Sequence, residues 1–264
     1  MFVEIDYLHD KLSGIRPLSA ESIRRISEDF MIDYTYNSNA IEGSTLTLEE
    51  TALVLKEGIT IAEKPLQHHL EAVGHRNAYY YIEDLVKDKT PFSEKIIKEI
   101  HSLVLIDKQS DRGIYRSVPV RVGAFYPCQP FEVPPKMEQL MAEYESDLQK
   151  LHVIERVALF HLKFETIHPF VDGNGRVGRL ILNFELMKES YPPINIKFSD
   201  RNIYYDCFNH YHNNNGDHSK MLELVSEYAV YELKRYIEIA EQAAELKSRY
   251  PEDFCDGITE GLDR

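Results

Sequence analysis

Residues 168–179 read HPFVDGNGRVGR, with an apolar run on each side. HVIERVALFHLKFETI leads in and LILNFELMKES leads out, and both carry helical spacing. Gly173, Asn174 and Gly175 therefore form a tight turn between two helical runs. Glycine permits left-handed backbone angles there and lets the chain approach a ligand closely. This turn is the strongest constraint on the fold, because both flanking runs must bury their apolar faces around it.

The rest of the chain follows the same period. In SAESIRRISEDFMIDYTY, Ile23, Ile26, Phe30, Met31 and Tyr34 recur at helical spacing, and this helix continues through SNAIE to stop at Gly43. TLEE, Thr47 to Glu50, reads as a capping box opening a helix that ends near Gly58. Pro65 suits the first turn of a longer helix with Leu66, Leu70, Val73, Tyr80 and Leu85 on one side. Ser93 caps another, which carries Ile96, Ile97, Ile100 and Val104. Helical spacing returns at Met137, Leu140, Met141, Tyr144 and Leu148, and again from Ser199 and from about Lys220. The exception is GIYRSVPVRVGAFYPCQPFEVPP, residues 113–135, where Val, Tyr, Phe and Pro predict a short hairpin or extended flap. With no repeat and no long linker, the expectation is a single, mainly α domain over 1–264: a helical bundle with a small β-hairpin flap.

A chain of 264 residues that is 43% hydrophobic can bury a substantial core. No apolar run approaches the ~18 residues needed to span a bilayer, and the acidic start MFVEIDYLHDKL does not resemble a signal peptide. The expected location is cytoplasmic. Cys128, Cys207 and Cys255 are far apart and form no CxxC pair, so no disulfide framework or cysteine zinc site is indicated. The net charge of -14 argues against a general nucleic-acid or anionic-membrane surface. Positive charge for an anionic ligand must then be local, and the 168–179 segment supplies two arginines.

Arg176 and Arg179 lie three apart in the first turn of the helix after the glycines. Cations are poorly placed at a helix N-terminus, whose unpaired N–H groups favour anions. A bound polyanion would offset that cost. Asp172 is a hard oxygen ligand beside the turn, suited to Mg²⁺ shared with substrate phosphates. His168 precedes the turn, and imidazole is the usual general base near neutral pH. Any one of these residues alone is better read as part of a loop between two core helices. Together, in this order, they describe phosphoryl or nucleotidyl transfer.

HPFVDGNGRVGR resembles the signature of Fic-domain proteins, and HLKFETI resembles the apolar helix leading into it. The resemblance implies a Fic-type bundle, with a core at about 91–217, that transfers AMP from ATP to a hydroxyl of a target protein. Carried over by residue, it implies His168 as base and Asp172 as Mg²⁺ ligand. Gly173, Asn174 and Gly175 would cradle phosphates. Arg176 and Arg179 would bind the outer phosphates, with Arg179 on the γ-phosphate, and Asn183 would line the nucleoside pocket. Gly175 favours AMP transfer over the family's phosphotransferase branch, which has lysine there. VRVGAFYP, within a flap at about 114–133, resembles the family's target-docking flap, with Val120, Arg121, Val122 and Gly123 at the docking edge. Tyr205 is the expected adenine-stacking residue. His210, His212 and His218 lack a zinc pattern and read as a polar loop or pocket rim.

SNAIEG, Ser38 to Gly43, resembles the family's inhibitory motif, in a helix at about 20–43. The resemblance implies that Glu42 forms a bidentate pair with Arg179 and so blocks the γ-phosphate position. The same glutamate could instead serve removal of AMP, giving a de-adenylylating or dual-function enzyme. A nucleotide-binding regulatory module with little turnover is a further alternative, which an intact His168 disfavours. The implied partner is an unknown target protein, with a homodimer and self-modification both open. The stretch after Ser219, to about 247, reads as a helix that packs on the domain or on a second copy.

Overall fold

The structure is a computed structural model and describes residues 2–15 and 20–249. The outer limits expected for the domain, and Cys255, lie outside the described residues. Among them the helices run in the order α1 (Phe2–Gly14), α2 (Ala20–Ile41), α3 (Leu48–Glu57), α4 (Leu66–Lys87), α5 (Glu94–Val104), α6 (Val133–Ser146), α7 (Val153–Ile167), α8 (Asn174–Lys188), α9 (Arg201–Asn213) and α10 (Ser219–Arg249). The mainly helical expectation holds. No helix among the described residues is long and apolar enough to cross a membrane.

The pair α7 and α8 is the axis of the molecule, because each helix is apolar on two sides. Phe160, Phe164 and Ile167 of α7 join Val177, Leu180, Ile181 and Phe184 of α8 in one core cluster, shared with α2 to α6. Ile154, Ala158 and Leu162 join Leu182 and Leu186 in a second cluster, shared with α1, α9 and α10. Residues three and four apart share a helix face, so the two sets occupy different sides of the same helices. Burying each such large side chain contributes about 1.5–3 kcal/mol, which fixes the axis before the site is considered.

Local chemistry sets several helix ends as the sequence indicates. Glu50 N–H donates to Thr47 Oγ1 at 3.1 Å and Thr47 N–H donates to Glu50 Oε2 at 2.8 Å, completing the capping box of α3. Gly58 ends α3 in the left-handed region, with φ 67°. Ser93 caps α5 by accepting from Ile96 N–H. Pro65 sits one position before α4 rather than in its first turn.

One expectation needs correction. The α4 face is misjudged: Leu66 is 65% and Tyr80 42% exposed, whereas His69, Ala72, His75, Ala78, Tyr79 and Ile82 are buried. Polar side chains take core positions there because they find partners inside, as His75 Nδ1 does with Thr35 Oγ1 at 3.0 Å. The expected short flap is present as one antiparallel bridge, Val122 to Phe125, flanked by irregular chain. Its prolines and lack of a neighbouring strand leave nothing to extend the ladder. At the N-terminus, α1 is a helix that packs on α10. Its buried residues are only Ile5 and Leu8, too sparse a stripe to read from sequence.

The flap is held at its base by a buried guanidinium. Arg116 Nε donates to the His168 carbonyl at 2.8 Å and Nη2 to the Cys128 carbonyl at 2.6 Å, while its N–H donates to the Pro169 carbonyl at 2.9 Å. One side chain thus ties both ends of the flap to the loop that follows α7.

Close approach of α4 to α5 demands a glycine. A Cβ at Gly74 would lie 2.6 Å from the Leu103 carbonyl oxygen and 2.8 Å from that of Val104. Gly74→Ala is expected to destabilise the protein by about 1–3 kcal/mol through overpacking against rigid backbone. Urea denaturation of the two proteins checks this, with a lowered midpoint expected for the variant.

Candidate active site

The end of α7 turns the chain towards the site. His168 adopts the left-handed conformation, φ 51° and ψ 63°, and its N–H donates to the Phe164 carbonyl at 2.9 Å. A non-glycine residue in that region is uncommon and stores strain that the surroundings must hold. Gly173 follows with φ 81° and opens α8. Between them, the Asn174 side chain accepts from Phe170 N–H and donates to the Phe170 carbonyl, both at 2.9 Å. Its amide therefore closes the loop and is not available to a ligand, which leaves the cradle to backbone N–H groups of the turn.

His101 props the turn from below. Its Nδ1 accepts from Gly113 N–H at 2.9 Å, so its Nε2–H donates to the Asp172 carbonyl at 3.0 Å. The ring stacks on Phe170 at 3.7 Å. Burial lowers its pKa to about 4, so this histidine is a neutral strut.

Asp172 is fully engaged. Gly173 N–H donates to Oδ1 at 2.6 Å, Arg176 Nη2 lies 3.2 Å from the same oxygen, and Lys108 Nζ pairs with Oδ2. Burial alone would raise the carboxyl pKa, but Arg176, Lys108 and the Gly173 N–H together hold it below the usual range. Lys108 marks a cationic position at the outward oxygen.

The two arginines part company, contrary to a shared phosphate face. Arg176 is buried, with Nη1 3.4 Å from Glu71 and Nη2 towards Asp172, and it does not line the cavity. Arg179 is buried against α2. Its Nε donates to Ser38 Oγ at 3.1 Å, Nη2 to the Ser38 carbonyl at 2.8 Å and to Glu42 Oε1 at 2.8 Å, and Nη1 to Tyr204 Oη at 3.3 Å. The Glu42 link is a single contact rather than the expected two-armed fork, because Ser38 occupies the rest of that edge. The helix stops at Ile41, so Glu42 lies just beyond it and projects over the first turn of α8. A Cβ at Gly175 would fall 2.2 Å from Glu42 Oε1, so glycine here lets the carboxylate sit close against the helix start.

A cavity of about 600 Å³ lies over the start of α8, and neither Asp172 nor Arg179 is among the residues that line it. Glu42, Glu165, His168 and Gly175 form its floor, Val122 to Phe125 of the flap one wall, and Tyr204, Tyr205 and Phe208 of α9 another. Tyr205 Oη donates to the Ile41 carbonyl at 3.0 Å, tying the cavity wall to the end of α2. Phe125 stacks on His212 at 3.9 Å, joining flap to α9 across the mouth. His212 is therefore a rim residue, while His210 pairs with Asp217 and His218 with Glu155, each elsewhere.

Val122 and Gly123 reach the cavity, whereas Val120 and Arg121 do not line it; Arg121 folds back on Gly123 and Tyr126. Asn183 is also displaced from its expected place. Its side chain donates to the Ile194 carbonyl and accepts from Ile194 N–H, both at 2.8 Å, and is fully buried. An amide satisfied on both sides by backbone anchors the chain after α8 and is spent there.

Sequence reasoning missed Lys108, His101, Arg116, Glu165 and Tyr204. Each acts across elements far apart in the chain or from inside an apolar helix, where spacing carries no signal. Tyr204 donates to His161 Nε2, 2.7 Å away, while accepting from Arg179.

A glycine turn opening a helix and an imidazole share one cavity, with a guanidinium close by, an arrangement chemically suited to an anion beside a base. Comparison with known proteins gives this arrangement a name. Residues 91–186 match the Fic/DOC family. A Fic domain containing signaling protein from Bacteroides thetaiotaomicron superposes with a TM-score of 0.84 at 30% identity, over 90% of this chain and 97% of that one. Fic-1 from Caenorhabditis elegans superposes at 0.80 with 28% identity, over 90% of this chain and 71% of that one. Protein adenylyltransferase Fic from Nematostella vectensis is 34% identical over 229 residues, 86% of this chain and 53% of that protein. The chain spans about half the length of the curated relatives it matches. It belongs to the Fic/DOC family.

His161 gives the site a pH signature. Burial, aided by the Arg179 charge, lowers its pKa from 6.5 to about 3. The unfolded chain therefore takes up a proton below pH 6.5 that the folded chain refuses until about pH 3. Stability is full above pH 6.5 and falls as the pH drops towards 3. His75, lowered by burial and Arg179 as well, acts in the same direction. Urea midpoints measured across this range are expected to fall with pH, and less steeply in His161→Gln.

Proposed function

We propose that this chain transfers AMP from ATP to a hydroxyl of a target protein. The observation that carries this reading is that the first turn of α8 and His168 face one cavity, with a carboxylate already seated where an anion belongs. The relatives named protein adenylyltransferase support the same chemistry. In the reaction, His168 takes the proton of the target hydroxyl as its oxygen attacks the α-phosphorus. The bond to pyrophosphate breaks and pyrophosphate leaves. Backbone N–H groups at Asn174 and Gly175 and the Arg179 guanidinium hold the phosphate oxygens, the Gly173 N–H being taken by Asp172. The target's extended segment adds beside Val120 to Gly123, and Tyr205 offers its ring to the base.

Asp172 is the residue that would hold Mg²⁺. The donor set fits, since one hard carboxylate plus substrate phosphates is a usual Mg²⁺ arrangement and the Lys108 ammonium already marks a cation at its outer oxygen. When bound, the ion supplies charge neutralisation to the leaving pyrophosphate.

Glu42 acts as a brake. Arg179 Nη2 cannot serve Glu42 Oε1 and a γ-phosphate together, and the carboxylate covers the helix start. ATP that enters is left misaligned, and misplacement by about 1 Å can cost on the order of 10²-fold in rate. Glu42→Gly is expected to raise AMP incorporation by about that factor. His168→Ala in the Glu42→Gly protein is expected to abolish it while ATP binding persists. Incubation with α-labelled ATP and a cell lysate, followed by mass spectrometry of the labelled bands, reads both. Equal labelling by parent and Glu42→Gly would remove the brake, and labelling that survives His168→Ala would remove the base.

A further inference from the structure

His168 lines the cavity, yet one of its nitrogens is turned away from it. Nδ1 is buried and has no hydrogen-bond partner. Three residues earlier on α7, Glu165 is 11% exposed and its Oε1 is also buried and unpartnered. Its other oxygen, Oε2, stands 3.4 Å from His168 Nδ1. The unpartnered Nδ1 thus faces Oε2, while the orphaned Oε1 lies on the Gly178 side, and a buried polar group left without its bond costs more than the bond itself returns.

The backbone explains why they meet. The left-handed angle at His168 swings its side chain back over the last turn of α7, where position i−3 lies. Glu165 cannot retreat freely, because α8 closes behind it. A Cβ at Gly178 would come 3.0 Å from Glu165 Oε1 and 2.7 Å from the His161 ring, so the carboxylate occupies a seam that a glycine keeps open. Closing the 3.4 Å gap to a charge-assisted hydrogen bond of about 2.8 Å needs only a small side-chain rotation.

We propose that Glu165 is a positioning residue that accepts a hydrogen bond from His168 Nδ1–H and so presents the bare Nε2 to the incoming hydroxyl. This rests on the reading of His168 as the base. The tautomer of a histidine is set by the bond its other nitrogen makes, and only an unprotonated Nε2 can accept the hydroxyl proton. After that transfer, the carboxylate steadies the imidazolium, as a buried acid does behind other catalytic histidines. Other charged and titratable groups near His168 are Glu42, Tyr204, Tyr205 and His212 in the cavity lining, Arg179 behind Glu42, and Arg116 at its carbonyl. Among the described residues, Glu165 is the one carboxylate within ion-pair distance of the ring.

The test compares Glu165, Glu165→Gln and Glu165→Leu in the Glu42→Gly protein. Nitrogen-15 NMR of the histidine rings reports the tautomer without turnover. The Nδ1–H form is expected at His168 in the parent and in Glu165→Gln, whose amide oxygen still accepts, and its loss is expected in Glu165→Leu. The kcat is expected to fall about 10-fold in Glu165→Gln and about 10²-fold in Glu165→Leu, with KM for ATP unchanged. A Glu165→Leu protein with the parent's tautomer overturns the proposal, as does one with the parent's kcat. If leucine prevents folding, Glu165→Gln decides, and an undiminished kcat there overturns it. A parent that shows the Nδ1–H form and its loss in Glu165→Leu, yet transfers no AMP, upholds the contact and sinks the transferase reading instead.

Discussion

A single buried guanidinium organises this molecule. Arg179 lies within α8, far from solvent, and every bond it makes reaches another element: Ser38 and Glu42 from α2 and its end, Tyr204 from α9. A buried charge left without any partner is costly, so Ser38 and Tyr204 share with Glu42 the task of holding it and tie these elements together. The same residue lies beneath the helix start that faces the cavity. In the proposed function, structural integrity and phosphate binding therefore draw on one side chain. On the proposed reading, a carboxylate just past the end of α2 acts on the site through that one guanidinium.

The segment 168–174 shows how much scaffold a short loop requires. A left-handed histidine and a left-handed glycine bracket it, and neither conformation holds itself. Asn174 closes the loop with two bonds to Phe170, His101 supports the Asp172 carbonyl and stacks on Phe170, and Arg116 grips the His168 carbonyl. None of these three side chains lines the cavity. They spend polar groups on backbone that would otherwise be buried unpaired. Arg116 also binds the Cys128 carbonyl, so the flap and the loop share one anchor, and a shift in either is felt by the other.

Legibility varied with the range of the interaction. The helices around Thr47, Ser93 and Gly58 were readable because their caps are local hydrogen bonds between residues a few positions apart. The turn of α8 was readable because glycine, aspartate and arginine at fixed spacing have few other uses together. The face of α4 was not, since His75 and Tyr79 are polar types whose burial depends on Thr35 and Phe30 in another helix. Asn183 misled for the same reason: its partner, Ile194, is reached only after the chain has turned back. Arg176 was grouped with Arg179 by spacing, but Glu71 from α4 drew it to the other side.

The sequence by itself determined the helical class, the turn between α7 and α8, and the set of groups gathered in and around it, because period, capping and backbone freedom are properties of short stretches. Tertiary structure alone decided which of those groups face the cavity and which are consumed in holding it. It placed Glu42 over Gly175, turned Arg176 and Asn183 away, and brought Glu165 behind His168. The physical reason is that a buried polar side chain goes where its hydrogen bonds can be met, and those partners come from parts of the chain that only folding brings near.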